Sequence, residues 1–163
     1  MPFRIIQGDI TTVKADVLVN AANNQLLAGS GVCGAIFRAA GYIQMQDACR
    51  RIGYCPTGDA VITPAFQLPA RYVIHTVGPV WEGGEHNERE LLYSCYVQSL
   101  ALADAYGARS IAFPLISSGI FGYPKEEALE VCEEAVEDFL SQHEMDVFLV
   151  IFQDEDIDHM KYL

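Results

Sequence analysis

Five cysteines are present, an odd number, and no two of them form a CxxC pair. That argues against a disulfide framework and a zinc ribbon, and free thiols fit a reducing compartment. Basic residues are scarce: ten Lys and Arg stand against 22 Asp and Glu, for a net charge of −12. Nucleic acid is held by a basic face, so this balance speaks against RNA or DNA as a partner. A small anion is less constrained, because local N–H dipoles can hold it inside an acidic protein. No apolar run approaches the roughly 18 residues that cross a bilayer, and the start Met1-Pro2-Phe3-Arg4 lacks a signal-peptide pattern. The expected location is the cytoplasm, with no membrane partner. Linkers, repeats and low-complexity segments are also missing, so residues 1–163 read as one domain, long enough to bury a full core.

Strand and helix patterns alternate along the chain. Candidate strands run from Phe3 to Gln7, Val17 to Asn20, Ala60 to Thr63, Tyr72 to Val77, Ile111 to Leu115 and Val147 to Phe152. Several are short continuous apolar runs, which suit a sheet covered on both faces. Helical patterns cover Gly34 to Ala40, Gln44 to Ile52, Glu88 to Tyr106 and Lys125 to Ser141. Asn87 with Glu90 reads as an N-cap and its third-position partner, Gly107 as a C-terminal glycine and Pro124 as a first-turn proline. Parallel neighbours need helical crossovers, so the expected fold is a three-layer α/β/α sandwich around a mixed, largely parallel sheet.

Two glycine-bearing loops follow apolar strands. One runs from Asn20-Ala21-Ala22-Asn23 to Gly29-Ser30-Gly31-Val32-Cys33-Gly34, the other is Ser117-Ser118-Gly119-Ile120-Phe121-Gly122. A single glycine cluster is read first as a plain turn. Two of them at corresponding strand ends, each leading toward a helix, form the two halves of an anion cradle in which backbone N–H groups converge on phosphate oxygens. In open α/β sheets ligands bind beyond the carboxyl ends of strands, where both loops sit. From the residues alone, the expectation stops at a diphosphate.

Further motifs carry a family resemblance. Gly8-Asp9-Ile10-Thr11, Val19-Asn20-Ala21-Ala22-Asn23, Gly31-Val32-Cys33-Gly34-Ala35-Ile36, Arg38-Ala39-Ala40-Gly41, His75-Thr76-Val77-Gly78-Pro79 and Ile111-Ala112-Phe113-Pro114 occur in that order. Together they resemble a macrodomain over nearly the whole chain. Cys55-Pro56-Thr57-Gly58 and Val80-Trp81-Glu82-Gly83-Gly84 are most similar to the bacterial branch associated with O-acetyl-ADP-ribose deacetylation and removal of ADP-ribose from proteins. The resemblance implies an ADP-ribose pocket. In it Asp9 would accept from the adenine amino group, and the Ile10 backbone would meet the ring edge. Asn23 would bond the distal ribose, and the backbone of Gly31, Val32, Ser118, Gly119, Ile120 and Phe121 would hold the diphosphate. Phe121 would also cover the distal ribose. Phe152 matches a position from which an aromatic ring packs on adenine, and core packing is the equal alternative. For Asp9 the residues by themselves favour a turn or cap.

Two positions depart from the family's pattern. Active relatives usually carry an aspartate ten positions after the asparagine that matches Asn23, thought to position or activate the attacking water; here that residue is Cys33. Phe37 stands where relatives often have histidine. A thiol is a poor proton acceptor unless ionised, so water activation by Cys33 runs against its chemistry. As a nucleophile it would need a pKa lowered by the helix N-terminus, and no histidine lies beside it in sequence. His75 falls in an apolar strand and reads as a satisfied core residue, while His86, His143 and His159 lie in polar segments. Cys33 therefore reads as a packing or pocket-lining residue. Acidic positions from Glu126 to Asp138 form a solvated helix face, and Asp154 to Asp158 an exposed segment before a short terminal helix. No metal-ligand spacing appears, and no cofactor is called for.

Two functions follow as expectations. One is a hydrolase acting on O-acetyl-ADP-ribose or on the ester that links ADP-ribose to Asp or Glu of proteins, in which the resemblance makes Asn23 a catalytic residue that orients the ribose, with Cys33 at the position of the water-activating aspartate. The other, favoured by Cys33, is a non-catalytic reader of free or protein-linked ADP-ribose.

Overall fold

The computed structural model describes residues 2–152. The apolar runs become strands β1 (Phe3–Gln7), β2 (Val17–Ala21), β3 (Ala60–Pro64), β4 (Tyr72–Thr76), β5 (Ser110–Phe113) and β6 (Asp146–Ile151). Between them lie helices α1 (Gly31–Ala40), α2 (Tyr42–Ile52), α3 (Glu88–Ala105) and α4 (Lys125–Leu140). A single 3-10 turn, Ile10–Thr12, follows β1.

The sheet order is β1-β6-β5-β2-β4-β3. Every neighbouring pair is parallel except β3 with β4. Side chains alternate across the pleat. Val17, Val19, Ile111 and Phe113 pack with α3 and α4, while Leu18, Val73 and Ala112 pack with α1 and α2. Two cores thus cover the two faces, as the continuous apolar runs require, and each fully buried large side chain contributes about 1.5–3 kcal/mol. The architecture is the expected α/β/α sandwich.

Some boundaries move. Helix α1 starts at Gly31 rather than Gly34, with Ser30 as its N-cap residue, so Cys33 lies in the first turn. Helix α2 starts at Tyr42, directly after Gly41, whose φ of 111° lets the chain bend sharply between the two helices. Asn87 does precede α3, but in the left-handed region with φ 62° and with no side-chain capping bond. The capping box expected for Asn87 and Glu90 is therefore absent, and the acceptor that matters is the next residue, Glu88. The acidic segment from Asp154 to Asp158 and His159 lie outside the described residues.

Candidate ligand-binding site

Strand order decides what meets at the carboxyl edge of the sheet. Because β1, β6, β5 and β2 are adjacent and parallel, the segments that follow them emerge side by side. Asp9 and Ile10 follow β1, Phe152 follows β6, Ser118 to Phe121 follow β5, and Asn23 and Gly31 follow β2. All the site residues expected from the sequence lie on this one edge.

Each loop leaves backbone donors open. Among the described residues no acceptor serves the N–H groups of Gly31, Val32 and Cys33 at the start of α1, where Ser30 makes no side-chain cap. Those of Gly119, Ile120 and Phe121 are equally without an acceptor there. A helix N-terminus and a run of loop amides both attract anions. Gly31 has φ +58°, a conformation that a side chain would strain, so glycine is required where α1 begins.

The loop after β5 is held from below. Ile116 donates its N–H to the hydroxyl of fully buried Tyr96 at 3.2 Å, and Tyr123 N–H closes the loop onto the Ser117 carbonyl at 2.9 Å. Ser117 is buried with φ 66°, and its Oγ has no partner among the described residues. Gly78 packs against it: a Cβ there would lie 2.1 Å from Ser117 Oγ and 2.7 Å from Ile116 Cγ2.

The loop after β2 is braced by a residue that sequence reading missed. Gln46 of α2, itself buried, accepts the Ala28 N–H at 2.8 Å and donates to the Leu26 carbonyl at 3.1 Å. A glutamine on the apolar face of a helix was the available signal. Asn23 is anchored too: its Oδ1 accepts from Leu27 N–H at 3.0 Å and its Nδ2 donates to Leu27 carbonyl at 2.7 Å. The carboxamide keeps one N–H and one lone pair for another partner.

Asp9 caps the 3-10 turn, its Oδ1 accepting from Thr11 N–H at 2.9 Å and Thr11 Oγ1 at 2.7 Å. That is the capping role the residues alone favoured, and it leaves Oδ2 uncommitted among the described residues. Ile10 is buried behind it. Phe152 lies just beyond β6 and is 68% exposed, which removes the core alternative.

Cys33 is 7% exposed. Its Sγ accepts from Asn20 Nδ2 at 3.6 Å, and its thiol donates to Leu27 carbonyl at 3.7 Å. Burial pushes its pKa above the usual thiol value, only partly offset by the Asn20 amide and the Gly29 N–H. The lowered pKa that a nucleophile would need is thus absent, and the group is a neutral, packed thiol. Phe37, also buried, places its ring edge-on to His75, with centroids 6.4 Å apart.

Beneath Cys33 lies a buried polar chain. Asn20 Nδ2 also meets His75 Nδ1 at 3.1 Å, and His75 Nε2 meets Thr63 Oγ1 at 2.9 Å. An amide nitrogen only donates, so Nδ1 is the acceptor and the imidazole carries its proton on Nε2. Burial lowers the His75 pKa to about 4. Unfolding restores the ordinary value near 6.5, so between these limits the unfolded chain binds the extra proton. Stability is therefore full above about pH 6.5 and falls as pH drops toward 4, by about 3 kcal/mol from this residue. Urea unfolding of the native protein and of His75→Gln from pH 7 to 4.5 checks this: the glutamine variant should show a flatter decline. Equal slopes would mean that His75 carries none of the acid sensitivity.

Two surface hollows, about 500 Å³ beside Lys14, Asp16 and Arg71 and about 820 Å³ beside Arg109 and His143, lie near the opposite ends of the strands. Neither contains a site residue. Among the described residues no group of His, Cys, Asp and Glu is arranged to hold a metal ion, and no helix is long and apolar enough to cross a membrane.

Known proteins share this sequence and geometry. Residues 19–132 match the Macro domain family model. An O-acetyl-ADP-ribose deacetylase of Escherichia fergusonii is 51% identical over 93% of this chain and 88% of its own length. A macro domain-containing protein of Methanosarcina mazei is 49% identical over 97% of this chain and 85% of its own. Among solved structures, the Oceanobacillus iheyensis macrodomain with ADP superposes with a TM-score of 0.90 at 39% identity, covering 97% of this chain and 89% of that one. The Trypanosoma brucei macrodomain in complex with ADP-ribose gives 0.89 at 37% identity, over 97% and 67% respectively. The sheet order, the paired amide loops and these matches make the chain a member of the macro domain family.

Proposed function

We propose that the whole chain is a single macro domain that binds ADP-ribose across the carboxyl edge of its sheet. It hydrolyses O-acetyl-ADP-ribose or the ester that joins ADP-ribose to mono-ADP-ribosylated proteins. One observation carries the binding: two sets of acceptor-free backbone amides, at the start of α1 and in the loop after β5, stand at the ends of adjacent parallel strands. A diphosphate supplies the oxygens both sets lack. Asp9 Oδ2 takes the adenine amino group, the Ile10 backbone meets the ring edge, and the exposed Phe152 ring lies on its face. Asn23 directs its spare amide valences at the distal ribose, which Phe121 covers.

Hydrolysis is supported by the deacetylase name of relatives half identical over most of the chain. The thiol of Cys33 does not act as the base, being neutral and already bonded. The substrate's own phosphate and ribose position the water instead, and positioning alone retains substantial catalysis. The same thiol favours the second reading, a non-catalytic reader of free or protein-linked ADP-ribose. Five free, buried cysteines suit work in a reducing cytoplasm.

Calorimetric titration with ADP-ribose, paired with acetate release from O-acetyl-ADP-ribose, tests the reading. Binding with turnover is expected; binding without turnover selects the reader, and no binding overturns both. In the same assay Asp9→Ala should lose about 1–3 kcal/mol of affinity, a charge-assisted hydrogen bond. Because Asp9 also caps a turn, Asp9→Asn serves as the folded control, and unchanged affinity in both variants would remove Asp9 from the site.

A further inference from the structure

The Val80-Trp81-Glu82-Gly83-Gly84 motif touches none of the ligand-facing amides, yet it is built around one buried carboxylate. Glu88, 1% exposed, accepts the backbone N–H groups of Glu82 at 2.9 Å and Gly84 at 2.8 Å on Oε2, and that of His86 on Oε1. Burial alone would raise its pKa; the three donors outweigh that and hold the carboxyl well below the usual range. It is ionised, and the neighbouring Arg89 pairs with Glu134 rather than with it.

The segment so gathered presses on Trp81. Gly84, with φ +88°, lies so close that a Cβ there would come 2.9 Å from Trp81 Cη2. The indole in turn packs on buried Tyr123, with ring centroids 4.7 Å apart. Trp81 N–H donates to the Phe121 carbonyl at 2.8 Å, and Tyr123 N–H to that of Ser117 at 2.9 Å. These two bonds straddle the acceptor-free amides of Gly119, Ile120 and Phe121.

We propose that Glu88 is a positioning residue: by collecting the amides of residues 82, 84 and 86 it seats Trp81, and Trp81 fixes the loop after β5 with its amides turned to the diphosphate. The inference rests on the ADP-ribose reading for its ligand and on these contacts for its mechanics. The loop is thereby ordered before ligand arrives, which lowers the entropy lost on binding.

Glu88→Gln places an N–H₂ group against backbone N–H donors. The full-length variant should bind ADP-ribose at least tenfold more weakly by calorimetry. Adenosine, which lacks the diphosphate, should bind within twofold of native by ligand-observed NMR. Without ligand, the ¹H–¹⁵N resonances of Gly119, Ile120 and Phe121 should shift or broaden while those of β1 and Asp9 stay put. Trp81→Leu, which keeps the backbone bond but removes the indole, should reproduce the pattern and serves if Glu88→Gln does not fold. Unchanged ADP-ribose affinity, or equal losses for both ligands, would overturn the proposal. Should native protein bind no ADP-ribose, that reading alone falls; the unliganded amide resonances still decide whether Glu88 sets the loop.

Discussion

Gly119→Glu is expected to abolish measurable ADP-ribose binding, a loss of at least a hundredfold, or about 3 kcal/mol, with little change in stability. The expectation combines two observations. A Cβ at residue 119 meets nothing within 4 Å, and the residue does not have a positive φ, so the backbone accepts a side chain without strain or clash. The added carboxylate stands beside amides that would otherwise receive the diphosphate, so it competes for the same donors and repels the same charge. Calorimetry alongside a melting curve checks it. Retained affinity in a folded variant would contradict the cradle. Gly78 offers the opposite case, because a side chain there collides with Ser117 and Ile116 and disturbs the loop itself.

Cys33→Asp should raise turnover of O-acetyl-ADP-ribose by about ten- to a hundredfold, with ADP-ribose affinity within about twofold of native. The place is prepared for a carboxylate. Residue 33 lies in the first turn of α1, where the helix dipole favours negative charge, and Asn20 Nδ2 stands 3.6 Å from the present sulfur as a donor. What the thiol lacks is a carboxylate's pair of acceptor oxygens, which can hold and deprotonate water. Cys33→Ala completes the comparison. If substrate groups position the water, alanine should retain native turnover; a collapse in alanine with no gain in aspartate would mean that the thiol itself takes part in the reaction.

Much of this was legible in the residues, for local reasons. Val17 to Val19 of β2 and Val147 to Ile151 of β6 are continuous apolar runs and had to be covered twice, and the two glycine loops had to follow their strands. Phe152 was ambiguous because a strand-end aromatic is compatible with core or cleft, and its 68% exposure speaks only against the core. What escaped was long-range. Gln46 reaches from α2 to hold Leu26 and Ala28 of the loop after β2; its place on an apolar helix face signals a buried bond but not the partners. Around α3 the local pattern misled: Asn87 and Glu90 match a capping box, but with Asn87 at φ 62° no side-chain cap forms. Glu88 between them takes the three amides instead. The chemistry of Cys33 was open for the same reason, since its pKa is set by burial rather than by its place at a helix start.

The parallel pairing of β1 with β6 joins the first strand of the chain to the last strand described, with Gln7 in register with Ile151. During synthesis the β1–β6 side of the sheet edge, where we propose adenine binds, therefore cannot form until β6 has left the ribosome, whereas both amide loops are present once β5 has paired with β2. Until β6 pairs with it, β5 carries an open edge that other strands could join. A ligand that reaches from Asp9 to Asn23 would join the last-formed strand pair to the first-formed one, so it would act as a clasp on the closed sheet, and fragments ending before residue 146 should gain less protection from it.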